Sequence, residues 1–245
     1  MPNYKRLLLM SNSTNPGQRP LEHAAEAITD FLGNQIKTVL FVPFASVTSS
    51  FDDFASSIRQ SFRNMNYGLH SLHSTVHAVQ AVERAEAIVV GGGNTFVLID
   101  TLYRMGLLKT IRARVRKGVP YIGWSAGANI ACPTIKTTND MPIVDPRTLN
   151  ALNLVPFQIN PHFMDTDSAD CPGETRTERI AEFIAVNPEV YVVGLRDGTM
   201  LRIEGPSLKV IGLSGVRVFR KGKTAGNYGP QDSLQFLLAN IKKDK

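Results

Sequence analysis

Residues 119–131 read Val119-Pro120-Tyr121-Ile122-Gly123-Trp124-Ser125-Ala126-Gly127-Ala128-Asn129-Ile130-Ala131, and this stretch decides the fold class. An apolar run stops at a glycine, a serine stands two residues on, and small helix-compatible residues follow. That is a strand, a sharp turn and the start of a helix, with the spacing G-x-S-x-G. Glycines on either side let two backbone segments approach closely, while the serine hydroxyl is pushed out over the helix start.

Outward from this elbow, short apolar runs at 6–10, 37–42, 87–90, 157–160 and 191–194 join 119–123 as candidate strands, separated by segments of helical period. This rhythm predicts an α/β fold: a single domain over residues 1–245, with a mostly parallel sheet and helices on both faces. Phe51, Phe54, Ile58, Phe62 and Met65 fall on one helix face and read as core. Residues 174–186 read as a further helix stopped by Asn187-Pro188, and 233–241 as a closing C-terminal helix. The runs 199–203, 209–213 and 217–219, separated by glycine-containing turns, predict a short antiparallel C-terminal extension of the sheet.

With 245 residues, 43% of them hydrophobic and 20% charged, the chain can bury a full core, which excludes disorder, collagen and coiled coil. Its net charge of +6 is scattered; the densest basic stretch, Arg112, Arg114, Arg116 and Lys117, lies on a helical segment without interleaved aromatics. A nucleic-acid partner is therefore not expected. Cys132 and Cys171, the two cysteines, form neither a disulfide framework nor a Cys/His cluster, so a reducing, cytoplasmic setting is expected. The run Leu7-Leu8-Leu9-Met10 is too short for a signal segment, and no apolar window is long enough to span a bilayer.

In open α/β sheets the chemistry gathers just past the carboxyl ends of the strands. Here those positions hold Ser11-Asn12-Ser13-Thr14, Gly91-Gly92-Gly93-Asn94, Ser125, Pro161-His162 and Leu195-Arg196-Asp197-Gly198. A serine hydroxyl needs a base, and among the five histidines His162 directly follows a strand. His23 falls in an early helix. His70, His73 and His77 read as solvated surface residues rather than a zinc site. A third group must orient the base, and both Asp140 and Asp197 qualify. The triple glycine lacks both nucleotide-loop patterns, so its amides are read as facing the serine, with Gly93 N–H and Ala126 N–H as oxyanion donors.

The strings Ser11-Asn12-Ser13-Thr14, Val90-Gly91-Gly92-Gly93-Asn94-Thr95-Phe96, Ile122-Gly123-Trp124-Ser125-Ala126-Gly127-Ala128-Asn129, Thr137 to Pro146, Gln158-Ile159-Asn160-Pro161-His162-Phe163 and Gly173-Glu174-Thr175-Arg176 together closely resemble the peptidase E family of serine-type aspartyl dipeptidases. The resemblance spans about residues 6–204. It implies an architecture like that of class I glutamine amidotransferases and hydrolysis of dipeptides with a free N-terminal aspartate, without metal or organic cofactor. Carried across, it makes Ser125 the nucleophile, His162 the base, Gly93 and Ala126 the oxyanion donors, and Arg176 and Asn94 substrate contacts. A guanidinium suits the carboxylate role because its planar fork matches two oxygens at once. One departure stands out: family members carry glutamate in a Gly-Leu-Pro-Glu-Gly turn, whereas this chain has Gly194-Leu195-Arg196-Asp197-Gly198. A cyanophycinase-like hydrolase of β-aspartyl-arginine and an inactive homologue that binds an acidic metabolite are the alternatives.

Overall fold

A computed structural model of the chain describes residues 4–165 and 173–239. The strands are β1 (Arg6–Met10), β2 (Thr38–Val42), β3 (Gly68–Ser71), β4 (Ile88–Val90), β5 (Tyr121–Trp124), β6 (Gln158–Pro161), β7 (Val192–Leu195), β8 (Met200–Glu204), β9 (Ser207–Ile211), β10 (Val216–Phe219) and β11 (Gly226–Tyr228). The helices are α1 (Ala25–Leu32), α2 (Phe51–Asn64), α3 (Ala78–Arg84), α4 (Thr95–Arg104), α5 (Leu107–Arg116), α6 (Ala126–Asn129) and α7 (Arg176–Val186).

The strands form two sheets. The larger runs β3-β2-β4-β5-β1-β8-β9, and the smaller runs β11-β10-β7-β6. In the larger sheet β3, β2, β4, β5 and β1 are parallel, and β8 and β9 close one side antiparallel. Alternate residues of each central strand feed opposite faces, as the pleat requires. Leu7 and Leu9 join the core beneath α3, α4 and α5, whereas Leu8 and Met10 join the core beneath α1 and α2. Burial on both faces explains why β1 reads as a continuous apolar run rather than an alternating one.

Two expectations are corrected. The runs at 157–160 and 191–194 do not extend the main sheet: as β6 and β7 they pair in parallel with each other, and β10 and β11 complete a separate mixed sheet. Their apolar character is the same in either arrangement, so composition could not choose between them. The antiparallel extension is therefore split, with β8 and β9 on the large sheet and β10 on the small one. The expected closing helix at 233–241 reduces to a 3-10 turn at Gln235–Leu237, its last positions lying outside the described residues. Burial of Leu234 and Leu237, and the packing of Phe236 on Tyr191 and Tyr228, hold this turn without a longer helix.

The smaller sheet shares the core of Leu7 and Leu9 through Ile159, Val193, Leu195, Val216 and Val218. Its other face meets α7 through Phe163, Ile180, Val192 and Phe219. Among the described residues no helix is long and apolar enough to cross a membrane.

Candidate active site

The elbow forms where the spacing predicts it. Ser125 sits between β5 and α6 at φ 52° and ψ −115°, a conformation costing a non-glycine residue on the order of 1–3 kcal/mol. Two carbonyls at the end of β1 hold it there, Met10 O and Ser11 O accepting from Ser125 N at 3.1 and 3.0 Å. The flanking glycines make the bend possible: a Cβ on Gly127 would stand 2.2 Å from Val90 O, and one on Gly123 2.4 Å from Gly127 O.

The loop after β4 lies against the serine, since a Cβ on Gly92 would be 3.0 Å from the Cβ of Ser125. Gly93 adopts φ 136°, and its Cα faces the Ala45 carbonyl so closely that no side chain fits. Neither the Gly93 nor the Ala126 N–H is taken up by a backbone carbonyl among the described residues. A cleft of about 580 Å³ opens beside this loop, walled in part by Val47, Phe54 and Ile143.

His162 follows β6 of the smaller sheet, also at a left-handed φ of 53°. Its Nε2 lies 2.9 Å from Ser125 Oγ, and its Nδ1 lies 2.9 Å from Asp197 Oδ1. A carboxylate only accepts, so Nδ1 carries the proton and Nε2 accepts from the serine hydroxyl. Burial raises the Asp197 pKa, but hydrogen bonds from His162 and Ser11 outweigh it and leave the group below the ordinary carboxylate value. The aspartate therefore reaches the ring directly, despite being one methylene shorter than glutamate.

Ser11, marked in the sequence only as a residue just past a strand end, takes a part that its position did not reveal. Fully buried at the end of β1, its Oγ accepts from His162 N at 2.8 Å and lies 2.8 Å from both Leu195 O and Asp197 Oδ1. One hydroxyl thus ties the His162 backbone and the Asp197 side chain to the larger sheet. Its position just past a central strand was the available signal, but serines there are common and their partners invisible in sequence.

Asp140, the other candidate orienting acid, does not contact the His162 ring. Its Oδ2 accepts from Thr95 N, Thr95 Oγ1 and Thr138 Oγ1 at 2.8, 2.5 and 3.0 Å, at the entrance to α4. Asn94 is likewise used structurally. Its Oδ1 caps α4 by accepting from Phe96 N and Val97 N, and its Nδ2 donates to Met141 O. Only its second amide hydrogen is left for a ligand.

Arg176 opens α7, half-buried and without a hydrogen bond or ion pair among the described residues. Burial lowers its pKa, as does the charge of Arg179, while the nearby Asp140 charge opposes them. Arg179 itself pairs with Glu174 at 2.8 Å.

Away from this cluster, His23 lies in the 3-10 turn Glu22–Ala24, where burial lowers its pKa against the opposing charge of Asp197. His70 and His77 are exposed as expected, but His73 is not simply solvated: it bridges Ser71 Oγ at 2.6 Å and Asp52 at 3.0 Å. Among the described residues no group of three or more His, Cys, Asp or Glu is arranged to hold a metal ion. Cys132 is buried and its thiol pKa pushed up by that burial; Cys171 lies outside the described residues.

The model of the family described as Peptidase family S51 matches residues 7–211. A Peptidase E of Nostoc sp. is 48% identical over 234 residues, covering 96% of this chain and 97% of that one. A Peptidase E of Escherichia coli O6:K15:H31 is 45% identical over 219 residues, covering 89% and 95%. A crystal structure of a peptidase from an acI-B1 actinobacterium superposes with a TM-score of 0.68 over 95% of this chain and 98% of that one; at 17% identity it speaks for the fold alone.

Proposed function

Because the chain belongs to peptidase family S51, and is thus a serine-type peptidase, we propose that it is a cytoplasmic dipeptidase, acting as one catalytic domain, that removes an unblocked N-terminal aspartate from Asp-Xaa dipeptides. The observation that carries this reading is the unbroken line Ser125 Oγ, His162, Asp197, each step 2.9 Å.

In this mechanism His162 Nε2 takes the Ser125 proton as Oγ attacks the aspartyl carbonyl carbon. The negative charge moves to the carbonyl oxygen, where the Gly93 and Ala126 amides receive it. As the tetrahedral species collapses, the C–N bond breaks and His162 passes its proton to the departing amine. An aspartyl ester remains on Ser125. A water molecule, deprotonated by the same ring, attacks that ester, releases aspartate and returns the proton to Oγ. Asp197 holds the imidazole in the required tautomer and stabilises its cationic form throughout.

Arg176 receives the substrate's side-chain carboxylate. A half-buried guanidinium with no ion-pair partner among the described residues supports that role, because the cost of leaving it uncompensated is recovered when a carboxylate arrives. Hydrolysis of Asp-Leu, Asn-Leu and β-Asp-Arg by purified enzyme tests the proposal. Asp-Leu should be cleaved about 100-fold faster than Asn-Leu, the scale of a few kcal/mol for an unpaired buried charge. The Ser125→Ala variant should lose on the order of 10⁵-fold or more. Wild-type turnover by that variant, or equal rates on Asp-Leu and Asn-Leu, removes the reading.

A further inference from the structure

Resting on the dipeptidase reading above, we propose that Arg196 is a positioning residue: pinned to Asp165, it fixes the turn that carries Asp197 at the distance from which an aspartate side chain reaches the His162 ring. The last backbone rung between the two segments is Phe163 N to Leu195 O at 3.0 Å. Past that rung, side chains join them. Asp197 Oδ1 lies 2.9 Å from His162 Nδ1, and Arg196 Nε donates to Asp165 Oδ2 at 2.6 Å. Adjacent residues of one turn thus grip two residues of the same partner segment. The guanidinium also donates through Nη1 to Ser214 O at 3.1 Å, just before β10, and through Nη2 to Asn227 Oδ1 on β11 at 2.7 Å. Its Cζ stands 5.8 Å from the centre of the buried Phe163 ring. A Cβ on Gly194 would lie 2.6 Å from Phe163 Cγ, so that ring packs directly on β7.

The exposure of the two neighbours separates their parts. The Asp197 side chain is 53% exposed and that of Arg196 17%. Water competes for the acid and burial does not hold it, so the fixed member of the turn is the arginine. Three directed bonds from a planar guanidinium set position and angle together, whereas an ammonium holds as a point charge. The anchor is firm as well. The hydrogen bond from Arg196, joined by that from Arg217, outweighs burial and keeps the Asp165 carboxyl below the ordinary carboxylate value. Arg217 donates to Asp165 Oδ1 at 3.0 Å and so braces the anchor against β10. The turn's other tether runs to the larger sheet, where Gly198 N donates to Asn12 Oδ1 at 2.8 Å. Without Arg196 that tether stays and the one facing the His162 segment is lost, so Asp197 recedes from the ring. A misplacement of about 1 Å in such a site costs about 100-fold in rate.

The test reads kcat and KM on Asp-Leu. Arg196→Ala should lower kcat about 100-fold with KM little changed and the circular dichroism spectrum retained, and Arg196→Lys should recover part of the loss. The deciding measurement is Asp197→Glu in both backgrounds. With Arg196 in place the longer side chain overshoots the ring and kcat should fall about ten-fold; in Arg196→Ala the same change should reach back across the gap and raise kcat about ten-fold over the single variant. Loss of stability alone would make both changes harmful, so this reversal of sign belongs to the positioning role. Arg196→Ala with kcat within about two-fold of wild type, a rise in KM alone, or a fall in kcat on Asp197→Glu in both backgrounds overturns the role of Arg196 while the dipeptidase reading stands. The rate of Ser125 labelling by a fluorophosphonate should rank the variants in the same order, because it reports the activated serine without a dipeptide. A wild-type enzyme that cleaves no aspartyl dipeptide removes the dipeptidase reading, and the labelling series then decides the part of Arg196 by the same reversal of sign.

Discussion

Ser125 and His162 share a positive φ, at 52° and 53°, yet they arrive at it by opposite routes. The serine's bend is written into five consecutive residues: β5 must end, α6 must begin, and glycines at 123 and 127 leave room for backbone to pass backbone. No such pattern surrounds His162. Its bend is held by Ser11, 151 positions away in sequence, and its ring by Asp197, 35 positions away and from a different strand of the smaller sheet. One half of the site is a local motif and the other is an agreement between two sheets. The local spacing therefore marks the serine and its elbow, while the acid that meets the His162 ring has no such local mark.

The difference can be broken from either side. Asp197→Asn attacks the non-local half. Its amide would present a donor to Nδ1 and favour the wrong imidazole tautomer, so kcat on Asp-Leu should fall about 10⁴-fold with the fold intact by circular dichroism. Retention of kcat would mean that another group orients the ring.

Gly127→Ala attacks the local half, and its readout is stability. The added methyl would meet the Val90 carbonyl at 2.2 Å, a backbone clash that no rotamer relieves. A loss of about 3 kcal/mol or more in urea unfolding is expected, and a loss within 1 kcal/mol would show that the elbow can shift.

Ser11→Ala cuts the joint between the halves. It leaves the His162 amide without its acceptor and removes one donor to Asp197, so a cost of about 1–3 kcal/mol is expected, read as a 10- to 100-fold lower kcat with KM little changed. A variant in which KM rises instead would place Ser11 in substrate binding.

The smallest effect is in pH. A depressed Asp197 pKa contributes stability that is present above the unfolded value, about pH 3.9, and is lost as pH falls through the lower folded value. Removing the Ser11 hydrogen bond brings the folded value back up and narrows that window. The stability gap between wild type and Ser11→Ala should thus be widest near neutral pH and shrink as the pH falls below about 4. Since the Asp197 side chain is 53% exposed, the change should stay under about 1 kcal/mol in thermal melts across that range. A gap that grows on acidification contradicts the assignment of that bond.

The limits of legibility follow the same division. β1 was readable to the residue because a central parallel strand, covered on both faces, must be apolar throughout. α2 was readable because its core face repeats at helical spacing. By contrast, β6 and β7 were recognisable as strands but not as members of a second sheet, because an apolar strand carries no label for its neighbour. The choice between Asp140 and Asp197 was closed to sequence for a related reason. Both are polar loop residues near strand ends, and only the packing that brings Thr95 to one and His162 to the other separates them.

By itself the chain determines where it is apolar, where it can turn tightly and where small residues must stand, because these depend on neighbours a few positions apart. That was enough for the α/β class and for the elbow that carries Ser125. Which strands pair, which carboxylate meets the imidazole and which hydroxyl joins the two sheets were decided only in three dimensions. The two side-chain contacts to Asp197 link positions 35 and 186 residues apart, and their energies depend on distances and angles that exist only once the two sheets have packed.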